Sequence, residues 1–430
     1  MILLYKIISY LLLPFILLRL CYKSKQHKGY LQNIDERFGI YTQEKLPKNK
    51  PYIWVHAVSV GETKACQTLI QELVLTYPNH NILLTNTTPT GRDIANQIFS
   101  EFIQDKRLYQ SYLPYDAPLL VSSFLHYVKP VFGIILESEI WPNLLLEAKK
   151  KNIKLVLANA RMSPKSYKRM SYFKSHVTKL LSCFDIIAAQ TQVDFDYYKE
   201  LGAKNLALMG NLKFDCLPSK SFAEKANYFK NHDSSVLFTN SKQIALLAST
   251  REGEEEILIQ AWLNAEKPCN LIVLPRHLHR LQDIKKYLQE KEINYTLRTD
   301  LEKVFSNNEK HDHEIILGDT MGEMPFYIEL CDIVVMGGSW LPFGGQNILE
   351  PAMQGRVVLV GEHTYNFLEA TKKAVEMQAC FRFSSPNDAF KNMNEILQNS
   401  KQLEANALRF VETYQGATKN LMNIIKKYAT

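Results

Sequence analysis

The chain has 430 residues, 46% hydrophobic and 22% charged, which is too many for one core at about 100–200 residues per domain and too apolar for disorder. Its seven cysteines are scattered and form no C-x-x-C pair, which excludes a disulfide framework or zinc ribbon and suits a reducing compartment. A formal charge of +7 favours partners that carry phosphate, and nucleic acid, anionic lipid and nucleotide-sugars all qualify.

The first twenty residues, MILLYKIISYLLLPFILLRL, are apolar apart from Lys6, Arg19 and a few small polar groups. As one helix they would span about 30 Å, the thickness of a hydrocarbon core, so residues 1–22 are expected to form a membrane-anchor helix. Pro14 interrupts the stretch, and a segment lying in the interface is the alternative. No small-x-small cleavage site follows. Lys23, Lys25 and Lys28 come next and, by the positive-inside tendency, place the remainder on the cytoplasmic side, against anionic lipid.

From residue 51, short apolar runs alternate with amphipathic stretches. Strands are expected at Tyr52–Ala57, Ile82–Asn86, Val131–Glu137, Leu155–Asn159 and Asp185–Ala189, each followed by a helix. The pattern breaks over the polar stretch SKSFAEKANYFKNHDSS. It resumes with Ile244–Ser249, Leu271–Leu274, Glu314–Gly318, Ile333–Gly337 and Val357–Val360. Such βαβα order means parallel sheets, here in two Rossmann-like doubly wound domains, 23–215 and 235–401, joined by a linker at 216–234. A final helical stretch, 402–430, follows. Facing halves of this kind bind ligands in a central cleft at the carboxyl ends of their strands.

Several strand ends carry chemistry. Ser59 to Glu62 fits the capping box S-x-x-E; Glu62 is either a helix cap or a general base on an acceptor hydroxyl. A helix N-terminus keeps such a carboxylate ionised but weakens it as a base. Thr87–Gly91 reads equally as a helix start or as an anion-binding turn. Glu137 and Glu139, beside Trp141-Pro142, would shape a sugar or acceptor pocket, or one of them would cap the helix or pair with Arg161. Lys213 in Gly210–Asp215 is either a cleft cation or a surface lysine.

In the second half, Ser249-Thr-Arg-Glu252 repeats the S-x-x-E pattern. Pro275-Arg-His-Leu-His-Arg280 puts two arginines at a helix start suited to phosphate. His277 and His279, at i and i+2, would face different sides of a helix and make no metal pair, and His311 and His313 are treated alike. Gly318–Met324 could pack against a base or ribose. In Gly337–Pro351, paired glycines admit a close ligand and Glu350 could clamp a ribose diol.

In order along the chain these stretches are ERFG at Glu36–Gly39, SVGE, ESEIWPN, NAR, LKFD, STREGEEE, PRHLHR, GDTMGEM and GG-N-LEPA. Over nearly its whole length the chain thereby resembles the Kdo (3-deoxy-D-manno-octulosonic acid) transferases, two-domain glycosyltransferases of the GT-B type. The resemblance implies transfer of Kdo from CMP-Kdo to the lipid A precursor lipid IVA at the cytoplasmic face of an inner membrane, inverting, and with neither metal nor nucleic acid. It implies Glu62 as proton acceptor, assisted by Glu137 and Lys213. CMP would lie on Pro275, Arg276, Met321, Gly322, Glu323, Asn347, Ile348, Leu349 and Glu350, and the last helix would return to the first domain. Gln346 and Ile348 depart from the family's usual His and Pro; glutamine keeps a donor but carries no charge. A sugar epimerase, another lipid glycosyltransferase and a nucleotide-sugar sensor are the rival readings.

Overall fold

The computed structural model describes residues 2–25, 28–216, 220–232, 237–238, 242–301 and 313–428. It divides into two compact units, Met1–Cys216 with Tyr414–Thr430, and Leu217–Thr413.

In the first unit, β1 (Tyr52–His56), β2 (Asn81–Asn86), β3 (Leu108–Tyr112), β4 (Phe132–Leu136), β5 (Lys154–Ala160), β6 (Ile186–Ala189) and β7 (Leu206–Leu208) form one seven-stranded sheet, ordered β3-β2-β1-β4-β5-β6-β7. Every pairing is parallel. Helices cover both faces, so strand residues are buried whichever way they point: Ile53 and Val55 enter one core, Tyr52 and Trp54 the other. Each large apolar side chain so buried contributes about 1.5–3 kcal/mol. His56 is fully buried at the end of β1, with Nδ1 2.9 Å from Thr85 Oγ1; burial lowers its pKa to about 4, so it is a neutral core residue.

The second unit repeats the plan with β8 (Ile244–Thr250), β9 (Asn270–Pro275), β10 (Tyr295–Leu297), β11 (Ile315–Leu317), β12 (Ile333–Met336), β13 (Val357–Val360) and β14 (Cys380–Arg382), ordered β10-β11-β9-β8-β12-β13-β14. Each sheet reverses its winding at one place, between β1 and β4 and between β8 and β12. Those switch points leave crevices at the carboxyl ends of the strands, where such sheets take ligands.

Three expectations change. The single anchor helix is two, α1 (Ile2–Leu11) and α2 (Leu13–Ser24), bent by 44° where Pro14 cannot continue the hydrogen-bond ladder. No single helix among the described residues is long and apolar enough to cross a membrane, whereas the bent pair passes by length and composition. The polar stretch assigned to a linker holds a helix, Lys220–His232. Its Ala226 and Phe229 are buried, and Phe229 packs edge-on against Phe326 at 5.6 Å, so this segment belongs to the second unit. His311 lies outside the described residues.

Finally, residues 402–430 do not act as one element. The helix Ser400–Glu412 buries Leu403, Ala407 and Phe410 in the second unit. Only residues from Tyr414 onward join the first, where Leu421, Met422 and Ile425 enter the core beside Ile53 and Ile82. Asp215 caps this last helix, Ala417–Ile425, accepting from Gly416 N at 2.7 Å and from Thr418 N. Losing such a cap costs about 1–2 kcal/mol. Asp215→Ala should therefore speed amide hydrogen exchange within Ala417–Ile425 by about tenfold while leaving exchange in β8 and β12 unchanged.

Candidate functional site

Glu62 sits at the first switch point. After β1 the chain turns through Ala57-Val58-Ser59 into α4 (Val60–Ala65), and Ser59 Oγ accepts from Glu62 N at 3.4 Å. The carboxylate folds back over this turn: Oε2 accepts from Val58 N at 2.6 Å and Oε1 from Ser59 Oγ at 3.2 Å. Only 8% of the residue is exposed. Burial is the largest influence on its acidity and pushes the pKa up to about 7; the charges of Glu137 and Glu139 push the same way, and the Val58 N–H opposes them.

Those two neighbours come from the loop after β4. Glu137 adopts left-handed backbone, φ 60°, a sparsely populated conformation for a side chain of this kind, while its N–H donates to Ala158 O at 2.9 Å. Its Oε1 lies 4.0 Å from Lys213 Nζ. Lys213 rides on the short turn Leu212–Phe214, pinned by Asn211 Oδ1 and by a bond from Leu212 N to Asn159 Oδ1 at 3.1 Å. Glu139 accepts from Trp141 Nε1 at 2.7 Å, and burial raises its pKa too. The structure thus gathers Glu62, Glu137 and Lys213.

Neither glutamate caps the helix Pro142–Lys150 or pairs with Arg161. The cap is Asp116, which accepts from Asn143 N and Leu144 N at 3.1 and 2.8 Å. It comes from the segment after β3, and no local spacing announces it. Thr87–Gly91 is a helix start, with Thr88 Oγ1 accepting from Gly91 N at 3.1 Å.

At the second switch point a cavity of about 50 Å³ is lined by Ser249, Arg276, Met324, Gln346, Asn347 and Glu350, among others. Gly337 has to be glycine: a Cβ there would lie 2.5 Å from Ser249 O. The following loop is gripped by Glu254, which is fully buried and accepts from Arg251 N at 2.9 Å, Trp340 N at 3.0 Å and Gly338 N. The second S-x-x-E is therefore no capping box. Ser249 is left-handed at φ 55°, the helix begins at Glu254, and Glu254 serves the glycine loop. STREGEEE carries three glutamates beyond the pattern, which was the available signal.

Asn347 Oδ1 accepts from Leu349 N at 3.1 Å. Ile348 and Leu349 are buried and Pro275 ends β9, but none of these three lines the cavity. Met321, Gly322 and Glu323 are not among the residues lining the cavity. Met321 is exposed, and Glu323 is tied to Arg298 at 3.4 Å and Lys225 at 3.7 Å. Of the two arginines in PRHLHR, Arg280 pairs with Asp283 and Glu255, which leaves Arg276 at the cavity. The rings of His277 and His279 stack at 5.5 Å rather than facing apart, because His277 is extended and not helical. Among the described residues no three His, Cys, Asp or Glu side chains are grouped to hold a metal ion.

The chain is 32% identical over 424 residues to a 3-deoxy-D-manno-octulosonic acid transferase of Haemophilus influenzae, covering 96% of each chain. A protein of the same name from Bordetella pertussis is 31% identical, covering 87% of each. The chain belongs to the Kdo transferase family. The family model described as 3-deoxy-D-manno-octulosonic-acid transferase matches residues 32–216, ending where the first unit's continuous stretch ends. A UDP-GlcNAc 2-epimerase from Neisseria meningitidis, covering 88% of this chain and 99% of its own at TM-score 0.56 and 15% identity, shares the fold alone. So does a glycosyltransferase from Rickettsia africae, covering 88% and 98% at TM-score 0.54 and 12% identity. The fold is of the GT-B type.

In this Kdo transferase family member the Glu62 carboxyl should titrate near pH 7 when followed by carboxyl carbon NMR, and Glu137→Gln should lower that value by removing a like charge. Because the pKa rises from 4.5 unfolded to about 7 folded, ionisation opposes folding above pH 7 by up to about 3 kcal/mol. Glu62→Gln should then melt higher than the parent at pH 8, with the gain shrinking from pH 7 downward and nearly gone at pH 4, where the carboxyl is mostly protonated in folded and unfolded chain alike.

Proposed function

We propose that this chain transfers Kdo from CMP-Kdo to the lipid A precursor lipid IVA, by one inverting displacement with Glu62 as general base. The observation that carries the reading is a buried carboxyl with its pKa near 7, at a switch point, in a chain of the Kdo transferase family. Such a group is half ionised near neutral pH and strong enough to take a hydroxyl proton as the bond to the sugar forms.

The donor's anomeric carbon gains oxocarbenium character as CMP departs, and the acceptor hydroxyl attacks from the opposite face, passing its proton to Glu62. Glu137 keeps the base strong by its charge and orients Lys213, whose ammonium stabilises the acidic sugar or the departing phosphate. Arg276 offers the phosphate a further cation, and Asn347 and Glu350 hold the ribose, with Pro275, Ile348 and Leu349, their neighbours along the chain, fixing the backbone that carries them. Met321–Glu323 contribute through their backbone, the Glu323 side chain being occupied. On this reading neither cofactor nor divalent ion takes part, and nucleic acid is no partner.

The same reading places the protein at the inner membrane with its catalytic units in the cytoplasm. The exposed Leu3, Leu4, Leu11, Phe15 and Leu18 support it by offering apolar surface to acyl chains, and Lys23 and Lys25 by offering charge to anionic headgroups.

Purified protein given CMP-Kdo and lipid IVA should release CMP and yield a lipid heavier by Kdo on mass spectrometry. Binding of CMP-Kdo without release of CMP would instead support the sensor reading, an epimerised nucleotide-sugar would support the epimerase, and CMP release without acceptor would support hydrolysis. Glu62→Gln should reduce transfer by about 10²–10⁴-fold, and in the parent kcat/KM should rise with pH through about 7 as the base ionises. Glu350→Gln should raise KM for CMP-Kdo about tenfold and leave KM for the lipid unchanged.

A further inference from the structure

The motif Glu36-Arg-Phe-Gly39 has no part in the chemistry above, yet it builds a charged site. Glu36 and Arg37 end α3 (Ile34–Arg37), and both are buried. Glu36 is satisfied: it pairs with Arg92 at 2.6 Å and accepts from Tyr112 N at 2.8 Å. Arg37 is not. Its Nη1 donates to Thr87 O at 2.9 Å and its guanidinium lies 3.7 Å from the centre of the Tyr112 ring. Nε and Nη2 make no hydrogen bond of good geometry, although the residue is only 3% exposed; its near neighbours Tyr112 and Tyr115 are neutral phenols and supply no counter-charge. Among the described residues it forms no ion pair. A guanidinium kept from water without a counter-charge is costly, and an incoming anion would remove that cost.

Arg37 faces a cavity of about 510 Å³ roofed by α1 and α2. Ile8, Leu12, Ile16, Leu113 and Leu144 make much of its wall apolar, while Arg19 and Lys23 add positive charge. Two acids also line it, and both are engaged: Asp116 accepts from Asn143 N, Leu144 N and Tyr5 Oη, and Glu139 accepts from Trp141 Nε1. Val58 belongs to the same wall and donates to Glu62, while Thr87, which holds Arg37, donates from its N–H to Val58 O at 3.4 Å. Anion site and base are thus two faces of one pair of loops.

We propose that Arg37 binds a phosphate group of the lipid acceptor, and that the apolar part of this cavity receives one of its acyl chains beneath the N-terminal helices. This rests on the reading of Glu62 as the base acting on that acceptor. A phosphate on an alkyl chain matches the cavity in both halves: a bidentate guanidinium for the oxygens and an apolar sleeve for the hydrocarbon.

The test compares Arg37→Gln with the parent on lipid IVA and on its dephosphorylated form, Arg37→Lys serving if the glutamine variant does not fold. The parent should discriminate against the dephosphorylated acceptor through KM. The variant should raise KM for lipid IVA about 10–100-fold, abolish that discrimination and leave KM for CMP-Kdo unchanged. Equal losses on both acceptors would overturn the proposal. Leu12→Trp, which fills the sleeve, should raise KM for lipid IVA while preserving the phosphate discrimination; unaltered KM would remove the acyl-chain half. Binding is read independently of transfer from the fluorescence of Trp141, a wall residue. Dodecyl phosphate should shift it, inorganic phosphate far less, and the shift should weaken in Arg37→Gln and on adding lipid IVA. Displacement by phosphatidylglycerol vesicles but not by lipid IVA would give the site to membrane lipid and sink the proposal. If the parent transferred no Kdo, the function would fail, whereas the dodecyl phosphate signal would still report on the cavity.

Discussion

The first unit is organised around a carboxylate kept out of water. Two forces compete on Glu62. The Val58 N–H at 2.6 Å and the start of α4 favour the charged form, and a helix terminus of this kind contributes about 0.3–1 kcal/mol. Against them stand burial to 8% exposure and two further carboxylates from the loop after β4. Desolvation of a carboxylate costs several kcal/mol when burial is deep, so it outweighs one good hydrogen bond and the pKa moves up. A helix cap and a carboxyl of raised pKa are thus compatible in one residue: the cap holds the group in place and burial sets its acidity.

The second unit uses a buried glutamate differently. Glu254 is surrounded by the backbone N–H groups of Arg251, Gly338 and Trp340, which leaves it no reach toward a ligand. Its work is to hold the turn after β12 while Gly337 lets that turn pass against Ser249. Buried glutamates after the opening strands of two similar sheets thus differ: Glu62 has its pKa raised, whereas Glu254, two residues beyond the S-x-x-E pattern, is a structural staple. What separates them is the count of backbone donors around the carboxylate, a property of the folded loops.

This marks where reading from sequence succeeds and where it stops. The ten interior strands are legible because burial on both faces makes them continuous apolar runs. The four that escape, β3, β7, β10 and β14, are the four sheet edges; LYQSY is interrupted by polar residues, LAL, YTL and CFR are only three residues long, and all four are partly exposed, so none makes a continuous apolar run. Glu62, Glu137 and Lys213 could be singled out as strand-end residues, since the switch-point rule fixes where the chain must turn. Asp116 could not, and Arg37 stands out only as part of ERFG, with nothing local to say what it touches. Their importance lies in contacts across 27 and 50 positions of sequence, and no local periodicity carries such information. The misread linker has a related cause: Ala226 and Phe229 form too narrow an apolar stripe to declare a helix until Phe326 is seen to cover it.

Asp116 also ties the N-terminal helices to the candidate site. Its Oδ2 accepts from Tyr5 Oη at 2.9 Å and from Asn143 N at 3.1 Å, and its backbone carbonyl accepts from Asn143 Nδ2. Tyr10 Oη accepts from Leu119 N at 2.9 Å, tying α1 to the same segment a second time. The helix that Asp116 caps begins directly after Glu137–Trp141, the loop whose carboxylates hold the Glu62 pKa up. One half-buried side chain therefore joins the helices over the cavity to the loop that raises the Glu62 pKa. Moving α1 away would expose Asp116 and loosen the start of that helix. The residues that would meet a bilayer and those that would take a proton are thus parts of one hydrogen-bonded assembly within the first unit.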